Sequence, residues 1–346
     1  MRISIVTDAW FPQVNGVVVT LTHTIAGLER LGHRVDVISP EGFRSVPAPS
    51  YPEIALAILP GRVVARRLTV FDPDAVHIAT EGPLGLAARR HCVRTGMPFT
   101  TAWHTQFPEY LHARWRVPIG LSYAWLRRFH RPAQAVLCGT PAVRDDLAAR
   151  GFTRLELWSK GVDATRFTPA SREPREHERP IFLHVGRLAV EKSVDDFANL
   201  ALPGTKWIVG DGPLRAKLQR EHPEIRFLGM LEGRDLVAAY QQADVFVFPS
   251  RTDTFGLVLL EAMACGTPVA AYPVRGPRDV VTDRQAGVLD DDLAKATLAA
   301  LSLDRERVRR FAERFPWQSA TRQFAAHLNP RRARPQMQTS YRSLSD

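Results

Sequence analysis

A doubly wound α/β chain, with two parallel-sheet domains facing each other, is the fold class that three observations predict. Short apolar runs of strand length alternate with stretches that carry apolar residues at helical spacing. A charged, proline-bearing segment interrupts that rhythm near the middle, and the rhythm then restarts. The length, 346 residues, suits two domains of ~150 residues each.

Ile3–Val6 reads as the first strand and Val18–Leu31 as a helix ended by Gly32. Arg34–Ser39 and Ala75–Ala79 are the next strands, and Gly82–Thr95 is a helix closed by Gly96. Pro98–His104 is a strand with a polar end. Ala135–Thr140 is another, after which Pro141 opens a helix in its first turn and Gly151 closes it. Residues 170–180, ASREPREHERP, hold almost nothing apolar and read as a linker. Beyond it, strands are expected at Ile181–Val185, Trp207–Val209, Ile225–Leu228, Val245–Phe248 and Pro268–Ala271. Helices are expected over 194–202, 213–221, 234–242, 256–265 and 292–302. The expected division is a first domain over 1–169, the linker over 170–180 and a second domain over 181–310. A C-terminal helix over 311–330 is expected to pack back on the first domain, ahead of a disordered tail over 331–346.

Composition narrows the function classes. Hydrophobic residues make up 45% and charged ones 24%, too much apolar surface for a disordered chain. No apolar run approaches the ~18 residues of a membrane helix, and Asp8 comes too early for a signal-peptide core. Cys92, Cys138 and Cys265 are far apart and lack metal-ligand spacing, so a reduced, cytoplasmic compartment is expected. The formal charge of +10 suits an acidic partner: nucleic acid, anionic lipid or a phosphorylated substrate. Only five of the 46 cations are lysines, so the excess equally fits an arginine-biased composition.

Three strand ends of the second half carry the chemistry. After Phe248 a loop holds Asp253, and Gly256 opens an apolar helix that contains Glu261. A carboxylate on such a helix needs partners. It is either a structural acid paired with an arginine or an acceptor for ligand hydroxyls. Gly256 at the helix start lets a diphosphate approach backbone N–H groups. After Val185, Gly186-Arg187 and Lys192 place two cations five residues apart on one loop, as a phosphate clamp or a solvated turn. Gly210-Asp211-Gly212-Pro213 turns tightly at the same sheet edge. In the first half, Pro12–Gly16 occupies the phosphate-loop position of a doubly wound sheet without the G-x-G-x-x-G pattern. His104 ends its strand facing the same crevice.

Taken together and in this order, these motifs resemble glycosyltransferase family 4, a group of retaining transferases with the GT-B fold. Asn15-Gly16, His104-Thr105, Gly161-Val162-Asp163 with Phe167-x-Pro169, Gly186-Arg187 with Glu191-Lys192, Gly210–Pro213, Phe227-Leu228-Gly229 and Phe255-Gly256 with Glu261-Ala262 carry the likeness, which spans roughly residues 1–328. The resemblance implies two Rossmann-like domains across a cleft. It also implies that Arg187 and Lys192 bind the diphosphate of a nucleotide sugar and that Glu261 holds the ribose. Asp253, Thr254, Phe255 and Gly256 would meet the transferred sugar, with His104 beside it. Gly16, Gly186, Asp211, Gly212 and Gly229 complete the implied donor site. No metal or other cofactor is implied. The family's paired acids are usually both Glu, whereas the first here is Asp253, which bears on the identity of the donor sugar. Closure about the linker would bring donor and acceptor together and exclude water.

The Asp8–Pro12 and His104–Tyr110 runs, with Trp158–Asp163, are similar to the branch that includes sulfoquinovosyl-, mannosyl- and glucosyl-transferases acting on diacylglycerol lipids. Residues 111–131 interleave Trp115, Tyr123, Trp125 and Phe129 with arginines that include Arg127 and Arg128. That mixture suits an anionic membrane surface, or a buried helix face with solvated arginines. Asp8, Trp115, Arg127 and Arg128 are therefore the candidate acceptor or membrane residues. The expected function is transfer of a hexosyl or uronosyl group from a UDP- or GDP-sugar, with UDP preferred, to a lipid acceptor at the inner face of the cytoplasmic membrane. The alternatives are the same chemistry on a saccharide or polyprenyl-linked acceptor, or a non-catalytic nucleotide- or nucleic-acid-binding protein. Scattered basic residues without a helix-turn-helix or RNA-binding signature argue against nucleic acid.

Overall fold

The computed structural model describes residues 1–48, 51–171, 179–328 and 330. Its first part runs β1 (Arg2–Val6), α1 (Gly16–Arg30), β2 (Arg34–Ile38), β3 (Ser45–Ala48), β4 (Tyr51–Ala57), α2 (Gly61–Phe71), β5 (Ala75–Ile78) and α3 (Pro83–Thr95). It continues with β6 (Phe99–Trp103), α4 (Phe107–Trp115), α5 (Ile119–His130), β7 (Val136–Cys138), α6 (Pro141–Ala149) and β8 (Leu155–Leu157). The second part runs β9 (Ile181–Val185), a 3₁₀ turn at Val190–Lys192, α7 (Val194–Ala198), β10 (Thr205–Val209), α8 (Arg215–Glu221), β11 (Arg226–Gly229), α9 (Gly233–Gln242) and β12 (Val245–Phe248). Then follow α10 (Leu257–Ala264), β13 (Val269–Ala271), α11 (Pro277–Val280), β14 (Gly287–Leu289), α12 (Leu293–Ala300), α13 (Arg305–Ala312) and α14 (Trp317–His327).

Two six-stranded sheets result, in the orders β2-β1-β5-β6-β7-β8 and β11-β10-β9-β12-β13-β14. Every pairing within them is parallel. Helices cover both faces, so β5, β9 and β12 are buried at every position and read as apolar runs interrupted only by His77 and His184. Local chemistry sets several boundaries. The Asn15 side chain caps α1 by accepting from the N–H groups of Val17 and Val18, each at 3.0 Å. Gly96 ends α3 in the left-handed conformation, and Thr140 caps α6 ahead of Pro141.

Some elements differ from the sequence expectation. The antiparallel β3–β4 pair was not expected, because its strands carry charge and proline instead of a clean alternation. β8 and β14 are three-residue strands, too short to show a period. The single C-terminal helix expected over 311–330 is instead the end of α13 and the whole of α14, separated around Pro316. α14 lies against α1, where Thr321 packs on Gly27, and Phe324 and Leu328 join Ile3, Ile5, Leu21 and Leu28 in the first-domain core. The linker expected over 170–180 falls largely, and the tail expected over 331–346 wholly, outside the described residues.

Candidate active site

In each sheet the strand order reverses beside its first strand, and a crevice opens there at the carboxyl edge. In the second sheet β9 lies between β10 and β12, so the loops after all three meet. The loops after β9 and β10 pack backbone to backbone. Leu188 N–H donates to Asp211 O at 2.9 Å, and Gly186 N–H to Val209 O at 3.0 Å. Gly210, at φ 132°, lies so close to the Gly186 carbonyl that a Cβ has no room. The exposed Asp211 carboxylate accepts from Gly212 N–H at 2.7 Å and from Arg215 at 2.8 Å.

At the junction of the loops after β9 and β12, Lys192 Nζ donates to Asp253 Oδ1 at 2.6 Å, and the side chains are 23% and 18% exposed. Burial works to lower the Lys192 ammonium, but the charge of Asp253, with Tyr110 and Glu191, outweighs it and holds the lysine above its ordinary value. The other Asp253 oxygen, Oδ2, is buried and has no hydrogen-bond partner. Thr252 Oγ1 donates to Glu191 O at 2.8 Å, tying the two loops together. Gly256, at φ 85°, precedes α10, and four residues into that helix Glu261 Oε2 accepts from Tyr240 OH at 3.0 Å. Burial raises the Glu261 carboxyl above its usual range, with the Tyr240 hydroxyl and Arg166 partly opposing. Gly276, at φ 85°, passes under the loop, where a Cβ would sit 2.7 Å from Asp253 O.

The first domain closes the site from the other side. A Cβ on Gly16 would lie 3.6 Å from Leu257 of α10. Thr254 Oγ1 donates across the cleft to His104 O at 2.7 Å. Tyr110 of α4 interacts with Lys192, Asp253 and Thr252, and burial raises its hydroxyl pKa. His104 is held neutral: burial, reinforced by Lys160 and His77, keeps its imidazole well below the usual value. Arg275 pairs with Asp146 at 2.6 Å, and Asp279 Oδ2 accepts from Ala142 N–H at 3.2 Å, two further ties between the domains.

The structure thus gathers Gly16, His104, Gly186, Arg187, Lys192, Asp253, Thr254, Phe255, Gly256 and Glu261 about one cleft. Asp211, Gly212 and Gly229 form the turns at its outer edge, Gly210 N–H donating to Gly229 O at 2.7 Å. Asp8 is placed differently. It is buried, and its carboxylate is taken up by Thr80 Oγ1 at 2.8 Å and by the N–H groups of Leu84 and Gly85 at the start of α3. Trp115 is exposed on α4. Arg127 donates to Arg150 O, and Arg128 lines a cavity of about 490 Å³ with Arg89, Arg131 and Arg154. Arg131 and Arg154 lead into the starts of β7 and β8, so this cavity lies toward the sheet edge opposite the cleft. Tyr110, Lys160, Tyr240 and Gly276 were not singled out from sequence. Tyr110, Tyr240 and Gly276 act through partners remote in the chain, whereas Lys160 sits on Trp158, two residues before it.

Residues 14–166 match the family described as Glycosyltransferase Family 4, and residues 179–303 the family described as Glycosyl transferases group 1. The chain is 35% identical over 316 residues to a GDP-mannose-dependent alpha-mannosyltransferase of Mycobacterium tuberculosis, covering 84% of this chain and 83% of that protein. It is 28% identical over 346 residues to the alpha-monoglucosyldiacylglycerol synthase of Streptococcus pneumoniae, covering 87% and 78%. Sucrose-phosphate synthase from Thermosynechococcus elongatus has the same fold, with a TM-score of 0.74 at 20% identity over 94% of this chain and 97% of that one. With both domains matched in order, and the cleft built from the motifs of both, the chain belongs to glycosyltransferase family 4 and is a GT-B glycosyltransferase.

Proposed function

We propose that this glycosyltransferase moves a hexosyl or uronosyl group, with retention at the anomeric carbon, from a nucleoside-diphosphate sugar to a diacylglycerol-type lipid at the inner face of the cytoplasmic membrane. The observation that carries the reading is the meeting of Lys192 and Asp253 at the crevice of the second sheet, with Tyr110 and His104 of the first domain against them. Breaking the sugar–phosphate bond develops negative charge on the diphosphate and positive charge on the sugar. Arg187, Lys192 and the N–H groups after Gly256 stabilise the leaving diphosphate, and a fixed donor of this kind contributes ~10²–10³ in rate. Glu261 takes the ribose hydroxyls, while Asp253 and the neutral His104 flank the sugar. The leaving phosphate takes the acceptor proton on the same face, giving retention, and these side chains supply the charge without a metal or other cofactor.

The lipid acceptor is supported by the Streptococcus pneumoniae relative, whose name specifies a glucosyldiacylglycerol. It is also supported by α4 and α5, where Trp115, Leu121 and Trp125 are exposed and Trp125 shares a surface hollow with Arg89 and Arg128. Aromatic residues beside arginines suit an anionic lipid surface. Among the described residues no helix is long and apolar enough to cross a membrane. The test is nucleoside-diphosphate release across UDP- and GDP-sugars, with and without diacylglycerol in mixed micelles. Release from one donor that requires the lipid supports the reading. Release that requires a saccharide or polyprenyl-linked acceptor replaces its lipid part. Flotation with anionic, but not zwitterionic, vesicles at low salt tests the membrane surface separately.

A further inference from the structure

One helix of the first domain, α6, reaches the loops of the second domain at three points. Just ahead of it, Gly139 is packed so that a Cβ would meet the Phe255 ring at 3.7 Å and the Thr254 carbonyl oxygen at 3.9 Å. In its first turn, Ala142 N–H donates to Asp279 Oδ2 of α11 at 3.2 Å. The N–H groups of a first turn have no partner in their own helix, so a carboxylate from the other domain suits that position. One turn further on, Asp146 Oδ2 meets Arg275 Nη1 at 2.6 Å.

The two halves of this ion pair are built differently. Asp146 is fixed by its own domain. Its Oδ2 also accepts from Arg150 Nε at 3.1 Å, and the Arg150 guanidinium lies 4.1 Å from the centre of the Tyr123 ring. The Tyr123 hydroxyl in turn donates to Glu109 Oε1 of α4 at 2.7 Å. Arg275 sits on the loop between β13 and α11, and among the described residues Asp146 is the one carboxylate that it meets. The next residue is Gly276, where a Cβ would come within 2.7 Å of Asp253 O and 3.5 Å of Phe255 N. Whatever holds Arg275 therefore holds the floor of the loop that carries Asp253, Thr254 and Phe255. Gly139 and the His104 carbonyl meet that same loop from the first domain. Arg187, Lys192 and Glu261 all belong to the second domain, so nucleotide binding and the setting of Asp253 draw on different contacts.

We propose that Arg275 and Asp146 are positioning residues for transfer. In the closed cleft the first domain grips Arg275, which fixes Gly276 and with it the Asp253 loop against the transferred sugar. The inference rests on the transferase reading above, in which Asp253 flanks the sugar, and it ties bond breaking to closure. An open cleft then holds the donor without cleaving it, so water meets no activated sugar before the acceptor's domain is in place.

The test uses Asp146→Asn, Arg275→Gln and the double variant in the full chain. Turnover is read as nucleoside-diphosphate release in the donor and acceptor panel above, and affinity for free UDP and GDP by calorimetry. A partly exposed ion pair shifts the closure of two domains modestly, so each single variant should lower kcat by about 3–10-fold. Free-nucleotide affinity should change by less than about 2-fold, as for a surface substitution away from the bound group. The double variant should be no slower than the slower single one, because both lose one shared interaction. Arg275→Lys keeps the charge and should recover part of kcat. Solution scattering should give Arg275→Gln a larger radius of gyration than the wild type. Full kcat in both single variants overturns the proposal, as do losses that multiply in the double variant, a loss carried by nucleotide affinity, or an unchanged radius of gyration. A wild type that binds neither UDP nor GDP refutes the transferase reading and the proposal with it, whereas nucleotide binding with full kcat in the variants refutes only the role of the pair.

Discussion

Lys192→Gln and Asp253→Asn should shift nucleoside-diphosphate binding in opposite directions. The two groups meet at 2.6 Å with about four-fifths of each side chain covered. At an effective dielectric constant of ~20 their gross attraction is about 6 kcal/mol. Desolvation of both charges cancels most of it, leaving a net contribution of roughly 1–3 kcal/mol. A diphosphate that engages Lys192 must draw it from Asp253 and is itself repelled by that carboxylate. Asp253→Asn keeps the shape and removes the charge, so free UDP or GDP should bind about tenfold more tightly, close to 1.4 kcal/mol. Lys192→Gln removes the cation and should weaken the same binding by at least about tenfold, and it should lower transfer by ~10²–10³. Asp253→Asn should lower transfer as well, since the acid that faces the sugar is lost. Calorimetry with the free nucleotide and a coupled assay of nucleotide release separate the two effects. A shift in the same direction for both variants, or a folded Lys192→Gln protein with full transfer activity, would refute the reasoning.

Glu261→Ala should raise KM for the donor by about 10–100-fold and cost roughly 1–3 kcal/mol in urea unfolding, because the buried Tyr240 hydroxyl loses its acceptor. Tyr240→Phe should recover much of that stability in the double variant without recovering KM. Gly276→Ala forces a Cβ to within 2.7 Å of Asp253 O at a positive φ. It should lower turnover more than tenfold while costing only about 1–3 kcal/mol in stability; unchanged turnover would mean that the Asp253 loop needs no support from below. Acid should destabilise the fold through buried histidines. His77 is pushed down to about 3 and His184 to about 4 by burial, so each stays neutral when folded and binds a proton when unfolded below pH ~6.5. Their contribution is present above pH ~6.5 and lost as pH falls toward 4, with a combined slope approaching 2.7 kcal/mol per pH unit near pH ~5. Urea titrations between pH 7.5 and 5 check this, and His184→Asn should remove about half of the slope.

Much of the cleft was legible before any coordinates, because its parts are local. The five-residue apolar strand before Gly186 and the four-residue one before the Asp253 loop are each buried on both faces, and a sheet covered by helices requires such runs. Pro141 after a strand announces a helix start by backbone chemistry within its first turn. Asp253, Gly256 and Glu261 lie within nine residues, so their common neighbourhood needs no tertiary information. The β3–β4 pair escaped notice because its strands have no clean period, and β8 and β14 because three residues cannot show one.

What each charged group faces is a different matter. Glu261 looked as ready to pair with an arginine as to bind a ligand, and the fold gave it the hydroxyl of Tyr240, on a helix 21 residues away. Asp8, a candidate for the acceptor side, became a cap for α3 because β1 lies beside β5 and the loops after them touch. Lys192 and Asp253 are 61 residues apart and meet because β9 hydrogen-bonds to β12. Periodicity, caps and turn residues act between neighbours in the chain, so the sequence alone determined the longer strands of the two sheets and the loops that follow them. Partner choice for a buried charge is decided by strand order and domain contact, which join residues tens of positions apart. Only the tertiary structure supplies those.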